Sequence, residues 1–240
     1  MRLSRIFTDA LLECGRDVHL SSEHGHYLRQ VLRLQKGDHL VLFDGAGGEY
    51  QAEITMLSKQ NCTCQVLSFD AADRELTLPV HIIQAACRSD KIESALQKCT
   101  ELGAASFQIV ASDRATLHLA ASKLDARLSR WRKIIIEAAE QSGRTRVPEI
   151  AWHQTLANIR SQGRCFVLEP EAVLHWIDTR QGMRDATSIC LAVGPEGGWS
   201  ARDLEQWREL GFQGLGFGNR ILRTETAAPA MLSAIQAVLD

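Results

Sequence analysis

The chain has 240 residues, of which 45% are hydrophobic and 23% are charged, and its 27 Lys and Arg against 29 Asp and Glu give a formal net charge of −2. This length is sufficient to bury a core without disulfides or metal, and it predicts one large domain or two modest ones. The charge balance argues against a generic polyanion binder, which needs a broad excess of cations, but it allows a local basic face.

Targeting and redox features predict a cytoplasmic protein. No apolar run approaches the roughly 18 residues of a membrane span, and the N-terminal MRLSRIFTDALLECG has no signal-peptide core. The seven cysteines include no CxxC pair, so neither a disulfide framework nor a zinc site is expected. We therefore expect reduced thiols, no metal and no membrane association.

The N-terminal part of the chain is predicted to form a small β-barrel-like domain that ends near residue 72, in the polar segment FDAADREL. Ser22 can cap a short helix that runs through Leu32. The apolar side of this helix is expected to consist of Tyr27, Leu28, Val31 and Leu32. Three predicted strands follow, HLVLFD, EYQAEITML and CTCQVLSF, separated by the turn compositions DGAGG and SKQN.

From residue 73 onward, predicted strands alternate with predicted helices. The strands are PVHIIQAA, SFQIVAS, RCFVLEP, SICLAVGP and GFQGLGFG. The helices are expected from about Lys91 to Leu102, from Ser122 to about Gln141, from a capping box at Ser200 and Asp203 to Gly211, and from Thr224 onward. This alternation predicts an α/β domain with a parallel sheet, in which ligands bind at the carboxyl ends of the strands.

Two glycine-rich segments, VGPEGGWS (193–200) and LGFGNRILRTETAAPA (215–230), each follow a predicted strand and enter a predicted helix. Glycine there lets backbone groups approach a ligand closely. Asn219 and Ile221 stand where GxGxxG needs glycine, and GK[ST], GxSxG and HExxH are all missing, which disfavours an oxidoreductase or NTPase. The alternative is two tight turns, but two such loops on successive units favour a shared crevice for a small ligand.

These segments resemble a known family. Four segments resemble, in kind and in order, motifs of the bacterial ribosomal RNA uridine N3-methyltransferases of the SPOUT class. They are QKCTELG (97–103), EQSGRTRVPEI (140–150), GPEGGWS and LGFGNRILRTETAA. HYLRQVLRLQKGDHLVLFDG resembles that family's small PUA-like RNA-binding module. The resemblance implies a PUA-like β-barrel domain over residues 1–72 and a C-terminal trefoil-knotted α/β domain over residues 73–240. The knot is implied only by the resemblance, because residue patterns alone predict an unknotted doubly wound sheet.

The resemblance also implies a cofactor, a substrate and an assembly. It implies S-adenosylmethionine as methyl donor, N3 of uridine 1498 in 16S ribosomal RNA of the assembled small subunit as acceptor, and a homodimer. An apolar closing helix would bury its second face in that dimer, or alternatively inside the monomer. The implied cofactor-binding residues are Leu168, Glu169, Gly194, Pro195, Glu196, Gly197, Gly198, Leu215, Gly218, Ile221, Leu222, Thr224, Thr226 and Ala227.

Uracil N3 is a poor nucleophile until its proton leaves, so the reaction needs a base or a water relay and donors near the carbonyl oxygens. Arg223 is the candidate donor, and Glu225 or Glu196 is the candidate base or orienting group. Glu225 could instead be a first-turn carboxylate that complements the helix dipole. Arg220 and Arg223 could instead bind phosphate or pair with Glu101.

A basic stripe is predicted on the N-terminal helix, although residues 1–75 hold eight Lys and Arg against eleven Asp and Glu. The alternatives are a solvated helix face and, for a second patch after the long helix, cations that favour a helix C-terminus. The predicted RNA-binding residues are Arg2, Arg5, His26, Arg29, Arg33, Arg144, Arg146 and Arg220. A non-catalytic RNA-binding ribosome-assembly factor is the competing function, but it would have no need of intact GPEGG and RTETA segments.

Overall fold

The structure is a computed structural model that describes residues 3–59 and 61–239. The chain divides into two compact units, one formed by residues up to Glu75 with Ala139–Val147, the other by Leu76–Ala138 with the residues from Pro148 onward. The 139–147 segment lies in the part of the sequence that was predicted to form the second domain. Hydrogen bonds attach it to the first unit: the Thr145 hydroxyl donates to the carbonyl of Ala72 at 3.2 Å.

The first unit contains a five-stranded mixed sheet with the order β1-β3-β4-β5-β2. The strands are β1 (Arg5–Phe7), β2 (Asp17–Leu20), β3 (His39–Phe43), β4 (Glu49–Leu57) and β5 (Cys62–Asp70). β1 runs parallel to β3, and the other pairs are antiparallel. The three predicted strands are confirmed. The two edge strands were not predicted because three or four residues are too few to show an alternating pattern.

The N-terminal helix differs from its prediction. Ser21, not Ser22, is the N-cap of α1 (Ser22–His26), and its hydroxyl accepts the N–H of His24 at 3.2 Å. The chain continues as a π-helical turn over Tyr27–Val31. This wider turn breaks the 3.6-residue period, so Leu28 is fully buried while Tyr27 and Val31 are exposed.

The second unit contains a six-stranded sheet with the order β11-β9-β10-β6-β7-β8, and every pair in it is parallel. Its strands are β6 (Val80–Ala85), β7 (Ser106–Val110), β8 (Glu149–His153), β9 (Arg164–Leu168), β10 (Ile189–Val193) and β11 (Gln213–Leu215). The predicted parallel α/β sheet is confirmed. β8 was missed because this edge strand has no fully buried residue and therefore no apolar run.

The helices are α2 (Ser89–Glu101), α3 (Ala121–Ser142), α4 (Trp176–Thr179), α5 (Ala201–Glu209) and α6 (Thr224–Leu239). The predicted capping box of α5 is confirmed, with the Ser200 hydroxyl accepting the N–H of Asp203 and the Asp203 carboxylate accepting the N–H of Ser200, each at 3.0 Å. In the described ranges no helix is both long and apolar enough to cross a membrane. β10 lies at the centre of the sheet with all five residues buried, and its carboxyl end opens onto the site described next.

Candidate functional site

A cleft of about 740 Å³ lies where β9, β10 and β11 end. Its walls are the end of β9, the loop after β10 and the segment between β11 and α6. The sequence-predicted residues that line it are Leu168, Glu169, Gly194, Pro195, Glu196, Gly197, Gly198, Leu215, Gly218, Arg220, Ile221, Leu222, Arg223, Thr224, Glu225 and Ala227. Three segments far apart in sequence therefore meet because parallel strands end at one edge of the sheet.

Thr226 does not line the cleft. α6 begins at Thr224, and residues three apart on a helix share a face, so Thr224 and Ala227 turn toward the cleft together. Thr226 lies between them on the exposed side of the helix. Its assignment to the cofactor therefore gains no support from the cleft geometry and stays a prediction.

Two glycines give the cleft its open walls. Gly198 and Gly218 have φ of +68° and +69°, and a Cβ placed on either would meet no atom within 4 Å. A left-handed backbone favours glycine, and open space beside it leaves room for a ligand. The N–H of Gly198 donates to the carbonyl of Pro195 at 2.9 Å, which closes the loop into a tight turn.

The loop after β10 is held by residues of two other loops that were not predicted. The Glu196 carboxylate accepts the N–H of Arg88 at 3.1 Å and the hydroxyl of Thr116 at 3.4 Å. Arg114 donates to the carbonyl of Gly197 at 2.8 Å. Glu196 therefore fixes the loop, and these contacts do not favour the alternative in which it acts as a base.

Glu225 forms an ion pair with Lys91 at 2.5 Å, with only 12% and 21% of the two side chains exposed. Burial alone would raise the pKa of the Glu225 carboxyl, but hydrogen bonds from Lys91 and from the N–H of Glu225 itself hold it below its usual value. Glu225 is thus both a first-turn carboxylate and a paired anion. Arg223 is exposed at the cleft, and neither Arg220 nor Arg223 makes an ion pair in the part of the chain that the structure describes.

Arg88, Lys91 and Arg114 line the cleft but were absent from the sequence prediction. Arg88 and Lys91 follow β6, and Arg114 follows β7. Ligands bind at the carboxyl ends of parallel strands, and the segments CRSDK and ASDR follow β6 and β7. The sequence could therefore have indicated these three basic residues as cleft residues.

Two of the predicted RNA contacts are instead interior ion pairs of the first unit. Arg5 pairs with Glu49, their side chains being 6% and 7% exposed, and it donates to the carbonyl of Arg144 at 2.8 Å. The buried Arg144 pairs in turn with Glu75. A hydrogen bond from Arg74, opposed by burial and reinforced by Arg5, holds the pKa of Glu49 below its usual value. The assignment of Arg5 and Arg144 to RNA was therefore wrong.

The remaining predicted RNA contacts differ in exposure. His26, Arg33 and Arg146 are exposed, and Arg29 is half-buried. Arg33 has φ +56° and ends the helical segment in a left-handed conformation. Arg220 lines the cleft, and Arg2 lies outside the described residues.

Comparison with known proteins places this geometry in a class. Residues 74–236 match the family model described as an RNA methyltransferase domain, and residues 20–67 match the RNA methyltransferase PUA domain. The parallel sheet, the glycine-walled cleft and the PUA domain thus define an RNA methyltransferase.

Individual relatives narrow the class. A ribosomal RNA small subunit methyltransferase E from Synechocystis is 36% identical, and the match covers 93% of this chain and 74% of that protein. The protein of the same name from Bacillus subtilis is 32% identical, and the match covers 90% of this chain and 88% of that protein. A crystal structure of the enzyme of that name from Neisseria gonorrhoeae, bound to S-adenosyl methionine, superimposes on this chain with a TM-score of 0.90. The two sequences are 33% identical, and the match covers 99% of this chain and 98% of the Neisseria chain. The chain belongs to the ribosomal RNA small subunit methyltransferase E family.

Proposed function

We propose that this protein transfers a methyl group from S-adenosylmethionine to N3 of uridine 1498 in 16S ribosomal RNA of the small subunit, in the cytoplasm. The observation that carries the proposal is the convergence of three predicted cofactor segments on one cleft. A Legionella pneumophila protein solved with its bound cofactor SAM supports it, with 31% identity, 99% coverage of this chain and a TM-score of 0.91.

The residues present fit such a cofactor. The cleft volume of about 740 Å³ falls within the range of small-molecule sites, roughly 300–1,000 Å³. Open space beside Gly198 and Gly218 leaves both glycine walls free for close approach. The cofactor-binding residues we propose are those predicted residues that line the cleft, without Thr226. When bound, S-adenosylmethionine supplies an activated methyl group on a positively charged sulfur.

Arg223 has the chemistry needed at the reacting base. Loss of the N3 proton leaves negative charge on the uracil carbonyl oxygens, which a guanidinium can stabilise with paired donors. Arg223 lines the cleft, is exposed and makes no ion pair within the described ranges, so its guanidinium is available to a substrate. Lys91 keeps Glu225 ionised and lowers its pKa, which makes the carboxylate a weak proton acceptor. We therefore propose Glu225 as an orienting group and not as the general base.

RNA binding is proposed for the exposed His26, Arg33 and Arg146 of the first unit, together with the half-buried Arg29. Such residues hold phosphates, while the identity of the base is read at the cleft. Arg220 remains a candidate for a phosphate next to the reacting base, because it lines the cleft.

A trefoil knot and a homodimer belong to the same proposal. The knot is supported by family membership alone. The closing helix no longer supports the dimer, because Ala228, Met231 and Ile235 are buried within the chain itself. Exposed apolar side chains in the segments after β9 and β11, Val173 at 98% and Ile221 at 85%, are better candidates for a two-fold contact.

Single-turnover methylation with bound RNA tests the catalytic role of Arg223. We expect Arg223→Ala to bind RNA and S-adenosylmethionine nearly as the wild type does but to react on the order of a hundredfold more slowly. Arg223→Lys should restore little, since a point charge does not reproduce a planar fork. Arg202→Ala, an exposed arginine of α5 outside the cleft, is the control. A normal single-turnover rate for Arg223→Ala would assign Arg223 to structure.

A further inference from the structure

A polar side chain lies in the middle of the parallel sheet, behind the cleft. Gln84 is on β6 at the register position of Val193, the last residue of β10, and it is only 2% exposed. Its Nε2 donates to the hydroxyl of Thr224 at 2.8 Å and to the carbonyl of Ala85 at 3.2 Å. Its Oε1 is buried and makes no hydrogen bond within the described part of the chain.

Burial of an unpaired amide oxygen destabilises the folded state, since the group has lost its hydrogen bonds to water. An apolar side chain of similar volume would fill the position without that cost. Packing therefore does not explain why this position carries an amide. The hydrogen bond from its nitrogen to Thr224 offers another explanation.

Thr224 extends the contact from β6 to the cleft. It is the first residue of α6, it is 6% exposed, and its hydroxyl donates to the carbonyl of Gly194 at 2.6 Å. A hydroxyl has one proton and can also accept, so donation from Gln84 leaves the Thr224 proton for Gly194. The resulting chain runs from β6 through the start of α6 to the first residue of the loop after β10. It joins two walls of the cleft from behind.

We propose that Gln84 is a positioning residue for the cofactor cleft. Through Thr224 it holds the N-terminus of α6 and the loop after β10 in their binding-competent arrangement before a ligand arrives. This inference rests on the proposed function. Its physical basis is preorganisation: a hydrogen-bonded chain in a water-poor interior is rigid, and a site that is already ordered loses less free energy on binding.

The sheet offers a matched control. Gln108, on the neighbouring strand β7 at the register position of Ile83, is 9% exposed. Its amide donates to the carbonyl of Arg160 at 2.7 Å and accepts the N–H of Arg160 at 2.9 Å. It is a buried strand glutamine with both ends of its amide paired, but its partner Arg160, unlike Thr224, does not line the cleft. Replacing it should affect stability without affecting the cleft.

Calorimetric titration with S-adenosylmethionine tests the proposal on Gln84→Met, Thr224→Val, Thr224→Ser and Gln108→Met. We expect about tenfold weaker binding for Gln84→Met, the effect of losing its hydrogen bond to Thr224. Thr224→Val should weaken binding at least as much, because it removes the bond from Gln84 and the bond to Gly194 together. Thr224→Ser, which keeps the hydroxyl, should recover to within about threefold of the wild type, and Gln108→Met should bind normally even if its Tm falls. At saturating S-adenosylmethionine, the turnover of Gln84→Met should remain within about threefold of the wild type, because the reacting groups are elsewhere.

The double variant decides whether the two residues act as one chain. In a Thr224→Val background, Gln84→Met should weaken binding no further, since its partner is already gone. The proposal would be overturned if Gln84→Met weakened S-adenosylmethionine binding equally in the wild-type and Thr224→Val backgrounds. It would also be overturned if folded Gln84→Met bound with wild-type affinity, or if Thr224→Ser bound as weakly as Thr224→Val. If Gln84→Met does not fold, Gln84→Leu, a second apolar replacement that lacks the amide, takes its place in both backgrounds. Absence of binding to the wild type would instead contradict the proposed function.

Discussion

Lys91 and Glu225 show at the scale of single residues how the cleft controls its charges. α2 carries the lysine and α6 the carboxylate, and the 2.5 Å pair offsets the effect of burial on the Glu225 pKa. A sequence pattern could place Glu225 in the first turn of a helix, but it could not supply a partner 134 positions away. The ion pair was therefore found only in the folded chain.

Lys91→Met should move the acidic limb of the kcat/KM profile to higher pH. The hydrogen bond and the charge of Lys91 both lower the pKa of Glu225, so their loss raises that pKa, and the carboxylate protonates at a pH where the wild type keeps it ionised. Lys98→Met, at an exposed position of the same helix, is the matched control. An acidic limb that does not differ between Lys91→Met and the wild type would show that Glu225 ionisation does not matter to the reaction.

Arg5 and Arg144 were misassigned for a related reason. Composition reveals cations, but it does not reveal whether a carboxylate such as Glu49 or Glu75 folds against them. Basic residues near a chain terminus or after a helix are exposed in most proteins, so the sequence favoured an RNA surface. The burial of Arg5 and Arg144 makes these ion pairs part of the first unit's core.

Glu49→Gln tests that structural role. The pKa of Glu49 in the folded state is below its unfolded value near 4.5. The ionised carboxylate therefore stabilises the fold at neutral pH, and this stabilisation is lost as the pH falls from about 4.5 toward the folded-state pKa. Because Arg5 would remain buried without its partner, we expect a loss of about 3–5 kcal/mol at pH 7 that narrows in acid. Glu13→Gln, which removes an exposed pair with Arg16, should cost at most about 1 kcal/mol. Denaturant titrations at pH 7 and pH 4 measure both, and equal losses at the two pH values would contradict the assignment.

At the scale of elements, the two glycine-rich segments were the most predictable part of the molecule. A glycine run between a strand and a helix has a strong local signature, and the parallel sheet then brings such segments together. Elements without a local signature were missed: β1 and β2 are too short, β8 is half-exposed, and the π-helical turn changes the period of the apolar side chains. Thr226 is the one cofactor assignment that the cleft geometry does not support, and helical spacing alone could have indicated this.

Gly197→Val tests whether the loop after β10 is a wall of the cofactor site. A Cβ at this position would be 3.6 Å from Arg114 Cδ, an ordinary contact, so the fold should tolerate the change while the branched side chain takes up space at the cleft. We expect affinity for S-adenosylmethionine to fall at least tenfold, or roughly 1.4 kcal/mol. Ala201→Val, at the exposed start of α5, is the control. Unchanged calorimetric affinity in a folded Gly197→Val protein would remove this loop from the site.

At the scale of the whole molecule, the two units are assigned two tasks. The cleft and its charged residues lie in the second unit, whereas the exposed cations proposed for phosphate lie in the first. Family membership could be anticipated from the motifs because they extend through the chain in order, and the matches over residues 20–67 and 74–236 agree.

An Arg29→Ala, Arg33→Ala double variant should separate the two tasks. RNA affinity should fall and its salt dependence should flatten by about one to two counterions, while turnover at saturating RNA survives. An Arg16→Ala, Lys59→Ala variant removes the same charge from other exposed positions of that unit. Equal loss of affinity in both variants would indicate a general effect of net charge, and loss of turnover with affinity retained would place the arginines at the reacting base.

Locating the transferred methyl group is the decisive test of the proposed activity. Small ribosomal subunits from a strain that lacks the corresponding enzyme would be incubated with the purified protein and S-adenosylmethionine carrying a deuterated methyl group. The 16S ribosomal RNA would then be digested and its fragments mapped by mass spectrometry. We predict one labelled methyl group, on N3 of uridine 1498. Label on another nucleotide, on a carbon of the base or on the ribose, or no label at all, would contradict the proposed activity.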